Sequence, residues 1–251
     1  MNRRARLGLG LAGLALLAGL TAWAVTGLRD FGSPGGRYAQ LAPKIAYQER
    51  HVTDTVTGVT FDIRAFDTLG EELILFVAAI GAAVLLRAQR DEEAEHAAEE
   101  ADEDRGARTV DVVRALGAAL VGPTLLLGLY IVAHGHLTPG GGFQGGVLLA
   151  GALLLVYVAG QVAAVERVRP MSLVEVAEAA GAAAYALVTV GGLVFAVAAL
   201  ENFLPLGTAG DLLSGGTIPV LSVGVGVEVT GAVTLILSEF VDQMLIRGRR
   251  S

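Results

Sequence analysis

The sequence of 251 residues contains no cysteine and only one lysine, Lys44. Without cysteine, the chain cannot form disulfide bonds, thiolate metal sites or iron–sulfur clusters of the usual kind. Charged residues are also scarce, at 17% of the chain, whereas hydrophobic residues reach 53%. Soluble domains are roughly 45–50% apolar, and the excess here is gathered into unbroken runs. The absences and these runs together indicate an integral membrane protein.

Six apolar runs each approach the roughly 20 residues that a helix needs to cross a bilayer. Because lipid offers backbone groups no hydrogen-bonding partner, each run is predicted to be a membrane-spanning helix. The predicted helices are Leu7–Leu28, Leu69–Leu86, Val113–Ala133, Gly146–Val165, Val176–Leu200 and Ile218–Val241. The sequence therefore predicts an all-α, multi-pass membrane protein with about six transmembrane helices, arranged as two and then four.

The distribution of positive charge predicts the orientation of these helices. Thirteen of the 18 Arg and Lys residues fall on the side of the membrane that holds both chain ends. Since cytoplasmic loops carry the excess of positive charge, both termini are predicted to be cytoplasmic. The first run also fits a signal peptide with Ala22-Trp23-Ala24 as a cleavage pattern, but its length favours a retained helix.

An acidic segment, residues 91–109, divides the chain into two predicted modules. Nine Asp and Glu residues lie between Asp91 and Asp104. Such a block of like charge repels itself and stays solvated, so it is predicted to be a cytoplasmic linker. It separates a two-helix module, residues 1–90, from a four-helix module, residues 110–245.

The glycine-rich segment HGHLTPGGGFQGG, residues 134–146, joins the third and fourth predicted helices on the outer side. A phosphate cradle would need a nearby lysine, and a metal site would need more ligands than His134 and His136. Glycine permits unusual backbone angles and proline removes a donor, so the helix is expected to break here. The freed backbone is expected either to pack against a neighbouring subunit or to line an aqueous ion path.

Five ionisable residues are candidates for an ion path or a proton relay: Arg64, Asp67, Glu71, His136 and Glu228. Glu228 lies in mid-helix with glycines on its face, and a carboxylate there fits a proton carrier or a structural hydrogen bond. His136 titrates near neutral pH and fits a relay or a backbone-bonded loop residue. Glu71 and Glu72 begin a helix, where the helix dipole favours acids, and Arg64 could pair with Asp67 or Glu71 in a relay.

The stretch GHLTPGGGFQGG resembles the signature loop of the MnhB/MrpB family, small membrane subunits of the multisubunit Na⁺/H⁺ antiporter. The matching residues are Gly135, His136, Pro139, Gly140, Gly141, Gly142, Phe143, Gly145 and Gly146. Residues 110–245 fit the size of this family. The last helix departs from the pattern, since Ile218–Leu221 stand where typical members often carry an Asp.

Residues 57–86 are similar to the C-terminal end of the large MrpA subunit and to the MbhE subunit of membrane-bound hydrogenases. The residues that carry this similarity are Asp62, Arg64, Phe66, Asp67, Thr68, Leu69, Gly70 and Glu71. The two resemblances strengthen each other, because either match alone could arise by chance, whereas here they occur together in one chain.

These resemblances imply a non-catalytic membrane subunit of a Na⁺/H⁺ antiporter in the cell membrane of a prokaryote. The expected partners are the other Mrp/Mnh subunits, Na⁺ and H⁺, with no cofactor, no metal and no nucleic acid. Two alternatives remain: a membrane subunit of a redox-driven complex related to membrane-bound hydrogenase, and a purely structural scaffold. A self-sufficient antiporter is not expected, because no lysine lies in any predicted span.

Overall fold

A computed structural model describes residues 3–28, 36–97, 111–159 and 171–248, which are helical and contain no strand. The six predicted helices are all present in these ranges: α1 Arg3–Thr26, α2 Ala65–Ala97, α3 Asp111–Ala133, α4 Gly142–Val158, α5 Met171–Phe195 and α6 Ile218–Gly248. By length and composition, four of them contain a stretch able to cross a membrane: Ala65–Leu86, Asp111–Ala133, Leu173–Phe195 and Ile218–Val241. The apolar parts of α1 and α4 are shorter, Gly10–Thr26 and Gly142–Val158. The prediction of an all-α, multi-pass membrane protein is confirmed.

Several helix boundaries differ from the predicted ones. Helix α4 begins at Gly142 instead of Gly146, and its predicted end at Val165 lies outside the described residues. Helix α5 ends at Phe195 instead of Leu200, because the side chain of Glu201 accepts hydrogen bonds from the amides of Val197 and Ala198 and turns the chain. Helix α2 continues to Ala97, into the predicted linker. Residues 98–109 of that linker lie outside the described part of the chain.

Helix α1 belongs to a compact unit of its own, residues 1–40. Its described side chains from Gly10 to Leu28 are exposed within that unit. The hydroxyls of Thr21 and Thr26 donate to backbone carbonyls of the same helix, so these polar groups are satisfied locally. Because these two hydroxyls are already hydrogen-bonded, the helix can face lipid or protein without leaving a polar group unpaired.

The second unit, residues 41–251, is organised around α6. Helices α2, α3, α4 and α5 all pack against it. About 61% of its apolar span is buried, against 17–28% in the other three spanning stretches. Its buried residues recur every three or four positions and therefore line the faces that the neighbouring helices cover: Ile218, Leu221, Val225, Val229, Ala232 and Leu235.

Glycines set the distance between α6 and its neighbours. A Cβ placed on Gly146 of α4 would lie 2.7 Å from the Cβ of Val229 and 2.9 Å from the carbonyl oxygen of Gly226. A Cβ on Gly181 of α5 would lie 2.5 Å from the backbone nitrogen of Glu228. Small residues at such contacts let helix backbones approach closely, as in membrane bundles generally.

The segment before α2 contains short helical pieces that the sequence analysis does not predict. They are the helices Arg37–Lys44 and Thr55–Gly58 and the π-helical turns Ile45–Glu49 and Val59–Ile63. An ion pair of 2.6 Å between Arg50 Nε and Asp62 Oδ2 joins the ends of the two π-helical turns. Val52, which is fully buried, belongs to the same hydrophobic cluster as Ile218 and Leu221 of α6.

Replacing Gly146 by Ala is expected to destabilise the bundle by about 1–3 kcal/mol, because the added methyl overpacks the contact between α4 and α6. The matched control is Gly151→Ala on the same helix, where a Cβ would meet nothing within 4 Å. Thermal unfolding of the two variants in detergent is the measurement. Equal midpoints for both variants would contradict the packing role of Gly146.

Candidate functional site

The glycine-rich loop is shorter than the sequence predicts, because α4 already begins at Gly142. The break covers residues 134–141, and Phe143, Gly145 and Gly146 are helical. Gly141 has φ of +128°, a region that side chains with a Cβ rarely adopt. At Gly135, a Cβ would lie 2.6 Å from the Cα of Gly141. The two ends of the turn therefore touch, and glycine is required for that contact.

Residues 53–57 hold this loop in place through hydrogen bonds to three consecutive carbonyls. The hydroxyl of Thr57 donates to the carbonyl of Gly135 at 2.6 Å. The amides of Thr53 and Asp54 donate to the carbonyl of His136 at 3.1 and 3.2 Å, and the Thr53 hydroxyl donates to the carbonyl of residue 137 at 2.6 Å. We call this set of contacts the loop clamp. These carbonyls already have donors, so the contacts favour packing over cation coordination at these positions.

His136 is fully buried at the centre of the loop. Its Nε2 lies 3.1 Å from the carbonyl oxygen of Leu212, so Nε2 carries the proton that it donates there. Its Nδ1 is buried and has no hydrogen-bonding partner among the described residues. Burial is the main cause that lowers the pKa of His136, although the backbone oxygens of Leu212 and Asp211 oppose the shift. His136 is therefore neutral at pH 7.

The other candidates from the start of α2 lie on the surface of the bundle. Arg64 and Asp67 form an exposed ion pair. This is the first of the two pairings expected for Arg64, with Asp67 or with Glu71. Glu71 is exposed as well. Exposed pairs of this kind contribute little to stability. Their candidacy for an ion path stays a prediction, and the structure does not bring them next to Glu228.

Glu228 instead faces two acids that the sequence analysis did not select. It is fully buried in α6, and the buried residues Glu72 of α2 and Glu178 of α5 are 2% and 3% exposed. Glu228 lies close enough to Glu72 and to Glu178 to act on both electrostatically. Both oxygens of Glu72, both of Glu228 and one of Glu178 lack a hydrogen-bonding partner within the described ranges. We call these three residues the carboxyl trio.

Helix packing places the carboxyl trio at the middle of the bundle. Gly181 of α5 lies against Glu228. A Cβ placed on Gly231 of α6 would lie 2.7 Å from the amide nitrogen of Glu178. Glu178 of α5 therefore lies at the level of Gly231, about one turn beyond Glu228 in the direction of the C-terminal end of α6. Glu228 is the eleventh residue of the 24-residue span Ile218–Val241, whereas Glu72 is the eighth of 22 and Glu178 the sixth of 23 in their spans. Glu228 therefore lies near the centre of the apolar layer.

The structure separates two neighbouring acids that the sequence presents alike. Glu72 shares a helix face with Thr68, Ala79 and Ala83, all buried, whereas its neighbour Glu71 shares a face with the exposed Ile74. Small residues do not mark the buried acid in the sequence, because two alanines, at positions 78 and 82, have the same spacing from Glu71. The packing of α2 and α5 against α6 therefore decides that Glu72 and Glu178 are buried.

The trio does not have the geometry of a metal centre. In the part of the chain that the structure describes, no three His, Asp or Glu side chains converge closely enough to hold a metal ion.

Comparison with known proteins agrees with the loop motif. Residues 112–235 match a family described as a domain related to the MnhB subunit of the Na⁺/H⁺ antiporter. An uncharacterised protein of Methanocaldococcus jannaschii is 32% identical over 197 residues, which cover 71% of this chain and 73% of that protein. The chain belongs to the MnhB-related family. The resemblance predicted from residues 134–146 is confirmed, whereas the MrpA-like and MbhE-like character of residues 57–86 stays a prediction.

Two solved structures share the fold of this MnhB-related chain. One is a chain of the membrane-bound sulfane sulfur reductase, an archaeal respiratory membrane complex, with TM-score 0.68 and 27% identity over 93% of this chain and 98% of that one. The other is a chain of the Mrp complex from Dietzia sp. DQ12-45-1b, with TM-score 0.69 and 23% identity over 95% of this chain and 26% of that one. The same fold thus forms nearly a whole chain in one complex and about a quarter of a longer chain in the other.

Acidification is expected to destabilise the loop through His136. Its folded pKa lies below the ordinary value of 6.5, so the unfolded chain binds a proton more readily. The stabilising contribution is full above about pH 6.5 and is lost as pH falls below it. The midpoint of thermal unfolding should therefore fall less steeply between pH 7 and 5 in His136→Gln, which stays uncharged, than in the wild type. The control is His134→Gln, and an unchanged slope in His136→Gln would refute the assignment.

Proposed function

We propose that this chain is a membrane subunit of a multisubunit monovalent cation/proton antiporter of the Mrp type. In this proposal it catalyses no covalent chemistry and works with other membrane subunits in the cell membrane. Its own contribution is the carboxyl trio, which forms part of the path that protons take through the complex. Family membership and the shared fold support the setting, and the trio carries the specific role.

The chemical argument begins with the cost of burying charge. A carboxylate in the apolar layer is expensive unless it is paired, protonated or in contact with water. The structure records ion pairs for Arg50 with Asp62 and for Arg64 with Asp67, and neither pair includes a member of the trio. Glu72, Glu178 and Glu228 therefore depend on protons, shared or exchanged, to remain in the interior. Groups that must gain and lose protons at this depth are suited to a proton path.

The position of the trio argues against a purely structural role. Three helices each supply one acid to the same interior, and most of the carboxyl oxygens find no donor in the described part of the chain. A structural hydrogen bond would satisfy these oxygens, because an unmet buried polar group costs stability. Retaining three such groups is physically unfavourable for a scaffold and favourable for a proton carrier.

Replacing each acid of the trio by Gln is expected to lower cation-driven proton transport by about tenfold or more, because a positioned proton carrier contributes at least that much. Gln keeps the size of Glu and carries no charge, so assembly should persist. Antiport is measured as Na⁺-driven pH change in everted vesicles, normalised to assembled complex. The matched control is Glu175→Gln, since Glu175 is an exposed neighbour of Glu178 on the same helix. Wild-type transport in Glu72→Gln, Glu178→Gln and Glu228→Gln alike would refute the proposal.

A redox-driven complex is the second candidate function. The observation that favours it is the match to a chain of an archaeal respiratory membrane complex, which covers 98% of that chain at 27% identity. The role of the carboxyl trio would be the same there, but the driving force would come from electron transfer in partner subunits. The chain has no cysteine, so any iron–sulfur cluster must be bound by those partners.

Purification of the native complex distinguishes the two settings. An antiporter is expected to lack visible absorption from clusters or flavins and to drive proton movement from a Na⁺ gradient alone. A redox-driven complex is expected to contain such cofactors in its partners and to move ions only when an electron donor and acceptor are supplied. Cofactors in the complex together with failure of Na⁺-driven antiport would decide for the redox setting.

A further inference from the structure

Buried hydroxyl groups lead from the loop end of the bundle, where the loop clamp lies, to Glu72. They belong to Thr57, Thr60, Thr68 and Tyr185, which we call the hydroxyl column. Thr57, Thr68 and Tyr185 are each 2% exposed or less, and Thr60 is half-buried. The three threonines lie in the segment before α2 and in its first turn, and Tyr185 lies on α5. The column thus follows the seam between two of the helices that supply the carboxyl trio.

Successive threonines are linked by hydrogen bonds from the hydroxyl of one to the carbonyl of the preceding one. Thr57 Oγ1 donates to the carbonyl of Gly135 at 2.6 Å. Thr60 Oγ1 donates to the carbonyl of Thr57 at 3.3 Å, and Thr68 Oγ1 donates to the carbonyl of Thr60 at 2.7 Å. The hydroxyls of Thr60 and Thr68 therefore each lie beside the peptide of the preceding threonine, and the hydroxyl of Thr57 lies beside the loop. Together they form a strip of polar groups from the loop to the first turn of α2.

The inner end of the column reaches the carboxyl trio. The Tyr185 hydroxyl donates to the carbonyl of Ala65 at 2.9 Å. Ala65, Thr68 and Glu72 are all buried and follow one another at helical spacing on one face of α2, so the Tyr185 hydroxyl lies near Thr68 and about one turn from Glu72. Both oxygens of Glu72 lack a donor among the described residues. Tyr185 is thus placed between the last threonine and an unsatisfied acid.

The outer end of the column reaches the surface. Thr53, whose hydroxyl takes part in the loop clamp, is exposed. Asp54 follows it, is 9% exposed, and accepts a hydrogen bond from the amide of Thr57 at 2.7 Å. An acid at the mouth of a polar strip can collect protons from water. The column therefore begins at Asp54, a largely buried carboxylate beside the exposed Thr53, and leads to the buried Glu72.

We propose that the hydroxyl column conducts protons between the loop end of the bundle and Glu72, with Tyr185 as the last relay group. This inference rests on the proposed function of the carboxyl trio. At each step a hydroxyl rotates from its backbone carbonyl, gives its proton to the next oxygen and receives another from the preceding hydroxyl or a bridging water. Every hydroxyl ends neutral, and the net result is one proton moved from water at the loop end to the carboxylate of Glu72. The carbonyls orient the hydroxyls and take no proton.

The test compares transport in variants that remove single hydroxyls. Tyr185→Phe and Thr68→Val are expected to lower Na⁺-driven proton transport per assembled complex by about tenfold, and to enlarge the solvent deuterium isotope effect on the rate. Thr68→Ser, which restores the hydroxyl, is expected to return the rate to within about twofold of wild type. The matched control for the tyrosine is Tyr157→Phe on α4, a half-buried residue outside the column.

Glu72→Gln is measured in parallel, so that two kinds of failure are distinguished. If Glu72→Gln lowers transport but Tyr185→Phe and Thr68→Val leave it at the wild-type level, the column is wrong and the role of the trio stands. If Thr68→Ser is as slow as Thr68→Val, or if the isotope effect does not change, Thr68 acts through packing and the column is also wrong. If Glu72→Gln transports normally, the trio and the column both fail.

Discussion

The close approach of neighbouring helices to α6 determines most of what this protein can do. Gly146 and Gly181 bring α4 and α5 so near to α6 that an added methyl group would collide with its backbone or side chains. That closeness removes lipid from the interior and leaves the side chain of Glu228 with protein on every side. An acid in such a place is either protonated or exchanges its proton with another group, since a lasting unpaired charge is too costly there. The packing of small residues and the chemistry of the carboxyl trio are therefore parts of one constraint.

The loop end and the centre of the bundle differ in how completely their polar groups are hydrogen-bonded. At the loop end, backbone groups are satisfied by the loop clamp, and the neutral His136 closes the turn against the carbonyl of Leu212. Toward the centre, hydrogen bonds become incomplete, and the unsatisfied atoms belong mostly to acids. A rigid outer turn above a proton-dependent interior is an arrangement in which the fold stays fixed while protonation changes.

Much of the fold was predictable because apolar runs of bilayer length permit little besides helix. The sequence also indicated the loop and Glu228, since glycine, proline and an isolated acid in an apolar run are conspicuous. It did not indicate the short helices between Arg37 and Ile63, which follow from tertiary contacts such as that between Arg50 and Asp62. Glu71 and Glu72 present a second difficulty. Adjacent acids at a helix start differ in orientation by about 100°, as follows from the helical period, and only the packing of α2 against α6 shows that Glu72 is the one inside.

The loop clamp has a consequence for how the two parts of the chain stay together. It joins residues 53–57, in the two-helix part, to residues 135–137, in the four-helix part, through direct hydrogen bonds. Helix α2 adds a broad contact with α6. The register between the two parts is therefore set by these contacts, and the covalent connection between them adds proximity but not position.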